Sequence, residues 1–111
     1  FGHVPVVRLA EMYLTRAEAN FRLGTAVGAS PAADVNVIRQ RAGLAPLQDV
    51  TLAQILKERK LELAFEGVQL HDLKRTRSSV RGLAWNSPRL ILPIPQREMD
   101  TNKSLVQNEG Y

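Results

Sequence analysis

The chain has 111 residues, one domain's worth of buried surface at most. It is 44% hydrophobic, which excludes wholesale disorder, and 15 Lys and Arg against 11 Asp and Glu leave a net charge of +4. Cysteine is absent, which excludes disulfides, thiolate metal sites and cysteine nucleophiles, and no apolar run approaches the ~18 residues of a membrane span.

The start at Phe1-Gly2-His3-Val4-Pro5 has neither an initiator Met nor a signal-peptide pattern. A piece of a larger helical protein is the expectation. The first helix is predicted over about 6–23: Ala10, Leu14, Ala17 and Phe21 recur on one face, with Val6 and Tyr13 extending the stripe. Glu18 and Arg22 are spaced for an i,i+4 pair. Pro5 and Gly24 stand where start and stop signals belong.

Ser30-Pro31 reads as N-cap and first helical residue of a second helix over 31–42, with Val35, Ile38 and Ala42 on its apolar side and Gly43 as its stop. Thr51 and Gln54 fit a capping box opening a third helix over 52–66. Its apolar set is Leu52, Ile55, Leu56, Leu63 and Ala64, interrupted by Glu58, Arg59, Lys60, Glu62 and Glu66. After a bend at Gly67, helix is predicted to resume over 68–75.

Residues 76–88 are polar and small, and read as a loop that carries Trp85. From 89 to 111 the chain reads as an extended strap. Pro93 and Pro95 remove two backbone donors and exclude a central strand, and one helical turn is predicted after Pro95. The expected fold class is all-α: a tetratricopeptide-like helical hairpin, further helix, and an extended C-terminal strap. One hairpin needs neighbours to bury its faces.

The chemistry is sparse. His3 and His71 are the only histidines, no HExxH occurs, and neither a metal nor a cofactor is expected. No phosphate-cradling glycine motif is present, and no serine sits in a nucleophile elbow. Glu58, Glu62 and Glu66 could do acid–base work if burial split their pKa values, but Arg59 and Lys60 among them favour neutralising ion pairs. Arg39, Arg41, Arg75, Arg77, Arg81 and Arg89 could form a basic face, with Trp85 as the one aromatic near it, so nucleic acid is not the expected partner. Trp85 is the one weak ligand-binding candidate: an indole can stack on the C–H face of a sugar, or fill an interface.

Four blocks then resemble one family. They are Arg8-Leu9-Ala10-Glu11-Met12-Tyr13-Leu14 with Arg16-Ala17-Glu18-Ala19, and Asn36-Val37-Ile38-Arg39 with Arg41-Ala42-Gly43-Leu44. The most specific is Glu58-Arg59-Lys60-Leu61-Glu62-Leu63-Ala64-Phe65-Glu66-Gly67 followed by Asp72-Leu73-Lys74-Arg75. The last is Leu92-Pro93-Ile94-Pro95-Gln96, with Glu98, Asn102, Gln107-Asn108 and Gly110-Tyr111. In this order they resemble the C-terminal region of the SusD/RagB family of outer-membrane nutrient-binding lipoproteins. Gln69 stands where that family usually has Arg, and Lys103 and Glu109 where it usually has Pro.

The resemblance implies a non-enzyme that binds a glycan or other nutrient at the cell surface. It implies a lipid anchor on a segment preceding this one, and a SusC-like TonB-dependent barrel as partner. The charges Arg59, Glu62, Glu66, Asp72 and Arg75 lie beside apolar stripes, which suits an ion-pair network fixing helix crossings rather than a ligand site. A stand-alone helical-repeat module binding protein or nucleic acid is the alternative, and a hydrolase built on the three glutamates the third reading.

Overall fold

The computed structural model describes residues 6–111; the expectations for His3 and Pro5 lie outside them. The elements are α1 (Leu9–Leu23), α2 (Pro31–Arg41), α3 (Leu52–Glu62), α4 (Gln69–Arg75), a 3-10 turn at Pro88–Leu90, and α5 (Gln96–Thr101). No strand occurs among the described residues; one isolated antiparallel bridge joins Val80 and Leu83. The fold class is all-α. The chain divides after Gly67 into two compact units.

In the first unit, α1 packs against both α2 and α3. Its core is Ala10, Leu14 and Ala17 of α1, Val35 and Ile38 of α2, and Ile55 of α3, with Tyr13, Leu47 and Val50 against it. Small alanines on α1 let the neighbouring backbones approach, and Leu14, Val35 and Ile55 fill the space between them, each fully buried. Burying one such side chain contributes about 1.5–3 kcal/mol.

Local signals set where the helices begin. Ser30 Oγ accepts from the Ala33 N–H at 3.2 Å, with Pro31 at the first helical position. Thr51 Oγ1 accepts from the Gln54 N–H at 3.2 Å while Gln54 Oε1 accepts from the Thr51 N–H at 2.8 Å, a complete capping box.

Several boundaries and faces differ from expectation. α1 starts at Leu9 rather than near Val6, and Arg8 before it is extended. Val6 is 90% exposed, so it has no surface against which a first turn could pack. Phe21, at the far end of the predicted stripe, and Ala42 and Ala64 are exposed as well. α3 stops at Glu62, not 66. At that end the Arg8 guanidinium donates to the Glu62 carbonyl, which in a continuing helix would accept from the Glu66 N–H. That N–H bonds the Leu63 carbonyl instead, and Phe65 turns to a left-handed φ of 66°.

In the second unit, the segment predicted as loop contains two tight turns. Val80 and Leu83 exchange two backbone hydrogen bonds at 2.9 Å around Arg81-Gly82. Both central residues have positive φ, 48° and 84°, as a two-residue hairpin turn matching strand twist requires. Trp85 lies in the next turn, closed by the Ser87 N–H on the Ala84 carbonyl.

The strap is held by side chains. Gln107 accepts from the Ile94 N–H at 2.8 Å and donates to its carbonyl at 2.9 Å. Asn108 donates to the Leu92 carbonyl and Tyr111 to that of Ile91. A proline-interrupted segment cannot form a full ladder, and these side chains supply partners for its backbone groups.

Candidate functional site

The charged residues of the first unit form a framework between helices. All six arginines of that unit meet a carboxylate. Arg59 of α3 reaches α1, donating to Glu11 at 2.9 Å and to Thr15 at 3.1 Å. Glu62 is held by Arg8, and by Arg41 at 2.6 and 2.7 Å. Arg8 also donates to Glu66 at 2.9 and 3.0 Å. Arg39 joins α2 to α3 through Glu58, and donates to the Ala45 carbonyl at 2.9 Å. Arg16 grips the buried Asp34 with two bonds, 2.9 and 2.7 Å, and its guanidinium lies over the Tyr13 ring.

The electrostatics follow from these contacts. Hydrogen bonds from Arg8 to Glu66 and then Glu62 push its pKa further up, and Asp34 does the same for Arg16. For Glu62, burial works to raise the pKa, but the hydrogen bonds from Arg8 and Arg41 outweigh it and hold the carboxyl below its ordinary range. A general acid needs the opposite shift. Glu58, Glu62 and Glu66 each face an arginine, so their arrangement suits cohesion and not proton transfer.

The five residues singled out from sequence fall in both units. Arg59, Glu62 and Glu66 belong to the first, while Asp72 and Arg75 pair within α4, three residues apart, at 2.9 Å in the second. The partners Glu11, Arg8 and Arg41 lie outside that set, as does the Arg39–Glu58 pair. Their sequence signal was present: each is a charge beside an apolar stripe or in a block carrying the family resemblance.

Three carboxamides set loop shape. Asn20 accepts from the Val27 N–H at 3.0 Å and donates to the Val27 and Ala29 carbonyls at 3.0 Å. Asn36 accepts from the Leu47 N–H and donates to the Leu47 carbonyl, both at 2.8 Å. Gln107 treats Ile94 the same way. Each meets both the N–H and the C=O of one residue, as a neighbouring strand would. No buried side-chain nitrogen or oxygen among the described residues lacks a partner.

Trp85 is 36% exposed, and the Arg77 guanidinium lies over its ring, 5.4 Å from the centroid. Arg77 itself has an unusual backbone. Three helices end with the same pair of reversed hydrogen bonds around a left-handed residue. After α1 that residue is Gly24, and after α2 it is Gly43. After α4 it is Arg77: its N–H bonds the Lys74 carbonyl and the Ser78 N–H bonds that of Leu73. Its φ is 55° and that of Arg81 is 48°. A side chain in this region costs about 1–2 kcal/mol relative to the right-handed one, a cost glycine avoids. His71, the other titratable candidate in this unit, is exposed on α4.

The SusD family model matches residues 2–90. The starch-binding protein SusD of Bacteroides thetaiotaomicron is 35% identical over 97% of this chain and 21% of its own length. The SusD-like protein P2 of Formosa agariphila is 33% identical over 99% of this chain and 26% of its own. Surface glycan-binding protein A from Bacteroides uniformis superposes with a TM-score of 0.77 at 32% identity, covering 93% of this chain and 27% of that one. The chain therefore spans about a fifth to a quarter of the curated relatives it matches. A match over most of its length, in sequence and in fold, places the chain in the SusD family.

Proposed function

We propose that this chain is part of a cell-surface protein that binds a glycan and passes it to a TonB-dependent outer-membrane barrel of the SusC type. The observation that carries the reading is the alignment of 97% of the chain with a starch-binding SusD protein. The relatives are named as binding proteins, which agrees with a non-enzyme. On this reading the protein sits at the outer-membrane surface, held by a lipid anchor outside the 111 residues. No helix among the described residues is long and apolar enough to cross a membrane.

Within the chain, Arg59, Glu62, Glu66, Asp72 and Arg75 serve architecture, and Trp85 contacts the ligand. The supporting chemistry is a half-open indole in a turn, whose π-face complements the C–H groups of a pyranose. Affinity electrophoresis of the full-length protein through gels containing starch, pullulan, xylan, polygalacturonate or chondroitin sulfate tests both levels. Retardation by at least one polysaccharide, reduced by Trp85→Ala, is expected. Unaltered mobility in all would overturn the binding reading, and full retardation of the variant would remove Trp85 from it.

A further inference from the structure

We propose that the loop from Arg77 to Arg89 is an anion-selective subsite, taking the carboxylate or sulfate groups of an acidic polysaccharide; this rests on the glycan-binding reading above. Three observations converge. The first is the contrast in pairing. Every arginine of the first unit meets a carboxylate, whereas Arg77, Arg81 and Arg89, like Arg97 on α5, have no ion pair among the described residues and are exposed. Most of the net positive charge lies beyond Gly67.

The second is backbone conformation. Arg77 and Arg81 both occupy left-handed positions, where glycine would relax the chain, and glycine does close α1 and α2 in the same way. Residues held in such conformations cluster at binding and switch sites. The third is the pairing of Arg77 with Trp85. A guanidinium on an indole offers a planar fork of donors beside an aromatic surface, suited to an anionic substituent on a sugar ring stacked nearby.

The double variant Arg77→Gly, Arg81→Gly separates function from folding, because glycine suits both turns. The full-length protein and this variant are compared by affinity electrophoresis on polygalacturonate and chondroitin sulfate, and on neutral starch and pullulan, at low and moderate salt. The expected result is salt-sensitive binding of the full-length protein to an acidic polymer. The variant should bind that polymer at least about tenfold more weakly, the scale of one charge-assisted contact. Its thermal midpoint should be equal or higher.

Undiminished acidic binding by the variant overturns the proposal. So does a lowered thermal midpoint, which would make the arginines structural. Binding to neutral polymers alone overturns this inference and leaves the proposed function standing; binding to neither class removes both. Capture of duplex DNA, without any polysaccharide, that the double variant abolishes would assign the arginines to nucleic acid and likewise overturn it.

Discussion

Arg59 shows what a single residue does in this fold. Its side chain is 9% exposed, yet charged, and lies between α3 and α1. Glu11 and Thr15 satisfy it there. Removing Arg59 leaves the partly buried Glu11 carboxylate without its partner, which costs more than the pair contributes. Arg59→Ala is therefore expected to lower stability by about 3–5 kcal/mol, read as the loss in urea midpoint at constant slope. Arg59→Met combined with Glu11→Gln should recover much of that loss, since burying apolar volume is cheaper than stranding a charge. A midpoint unchanged in Arg59→Ala would show that water reaches the site. Asn36 makes a related point: one carboxamide fixes the loop after α2 by meeting both polar groups of Leu47.

At the scale of elements, the join of α1 to α3 is electrostatic at its rim. Arg8 stands just before α1 and binds Glu62 and Glu66, while Arg41 at the end of α2 binds Glu62 from another side. Glu62 is thus a junction of three segments. Its folded pKa lies below its ordinary value of 4.5. The unfolded chain binds this proton more readily, so the group adds stability above about 4.5 and loses it as pH falls through the lower folded value. Thermal midpoints should accordingly fall on acidification below that point. Glu62→Gln should start lower at neutral pH and show a shallower acid decline. An identical acid limb in the variant would assign it to other carboxylates.

For the whole molecule, the division after Gly67 follows the turn at the end of α3. Ending α3 at Glu62 leaves a short turn in which Phe65 is fully exposed and left-handed. Chymotrypsin under native conditions should cut the 111-residue chain first at Phe65, ahead of Tyr13 on α1 and Trp85 in its closed turn. A first cut at Trp85 would mean that the second unit opens more readily than the connection. Leu9, Met12 and Leu23 of α1 are also exposed, while the core beneath that helix contains few large side chains.

The sequence by itself determined the starts of α2 and α3 and most of the inward faces. Ser30-Pro31 and Thr51 with Gln54 act within one turn of chain, and Ala10, Leu14, Ala17, Val35, Ile38 and Ile55 follow the helical repeat into the core. It determined the family through blocks spread over nearly the whole chain. Tertiary structure decided the rest, because those outcomes depend on groups far apart in sequence. Arg8 meets the last carbonyl of α3 from more than fifty residues away, Arg59 finds Glu11 on another helix, and Gln107 shapes the segment at Ile94. Periodicity reports which way a side chain points; which charge it meets is set only once the helices pack.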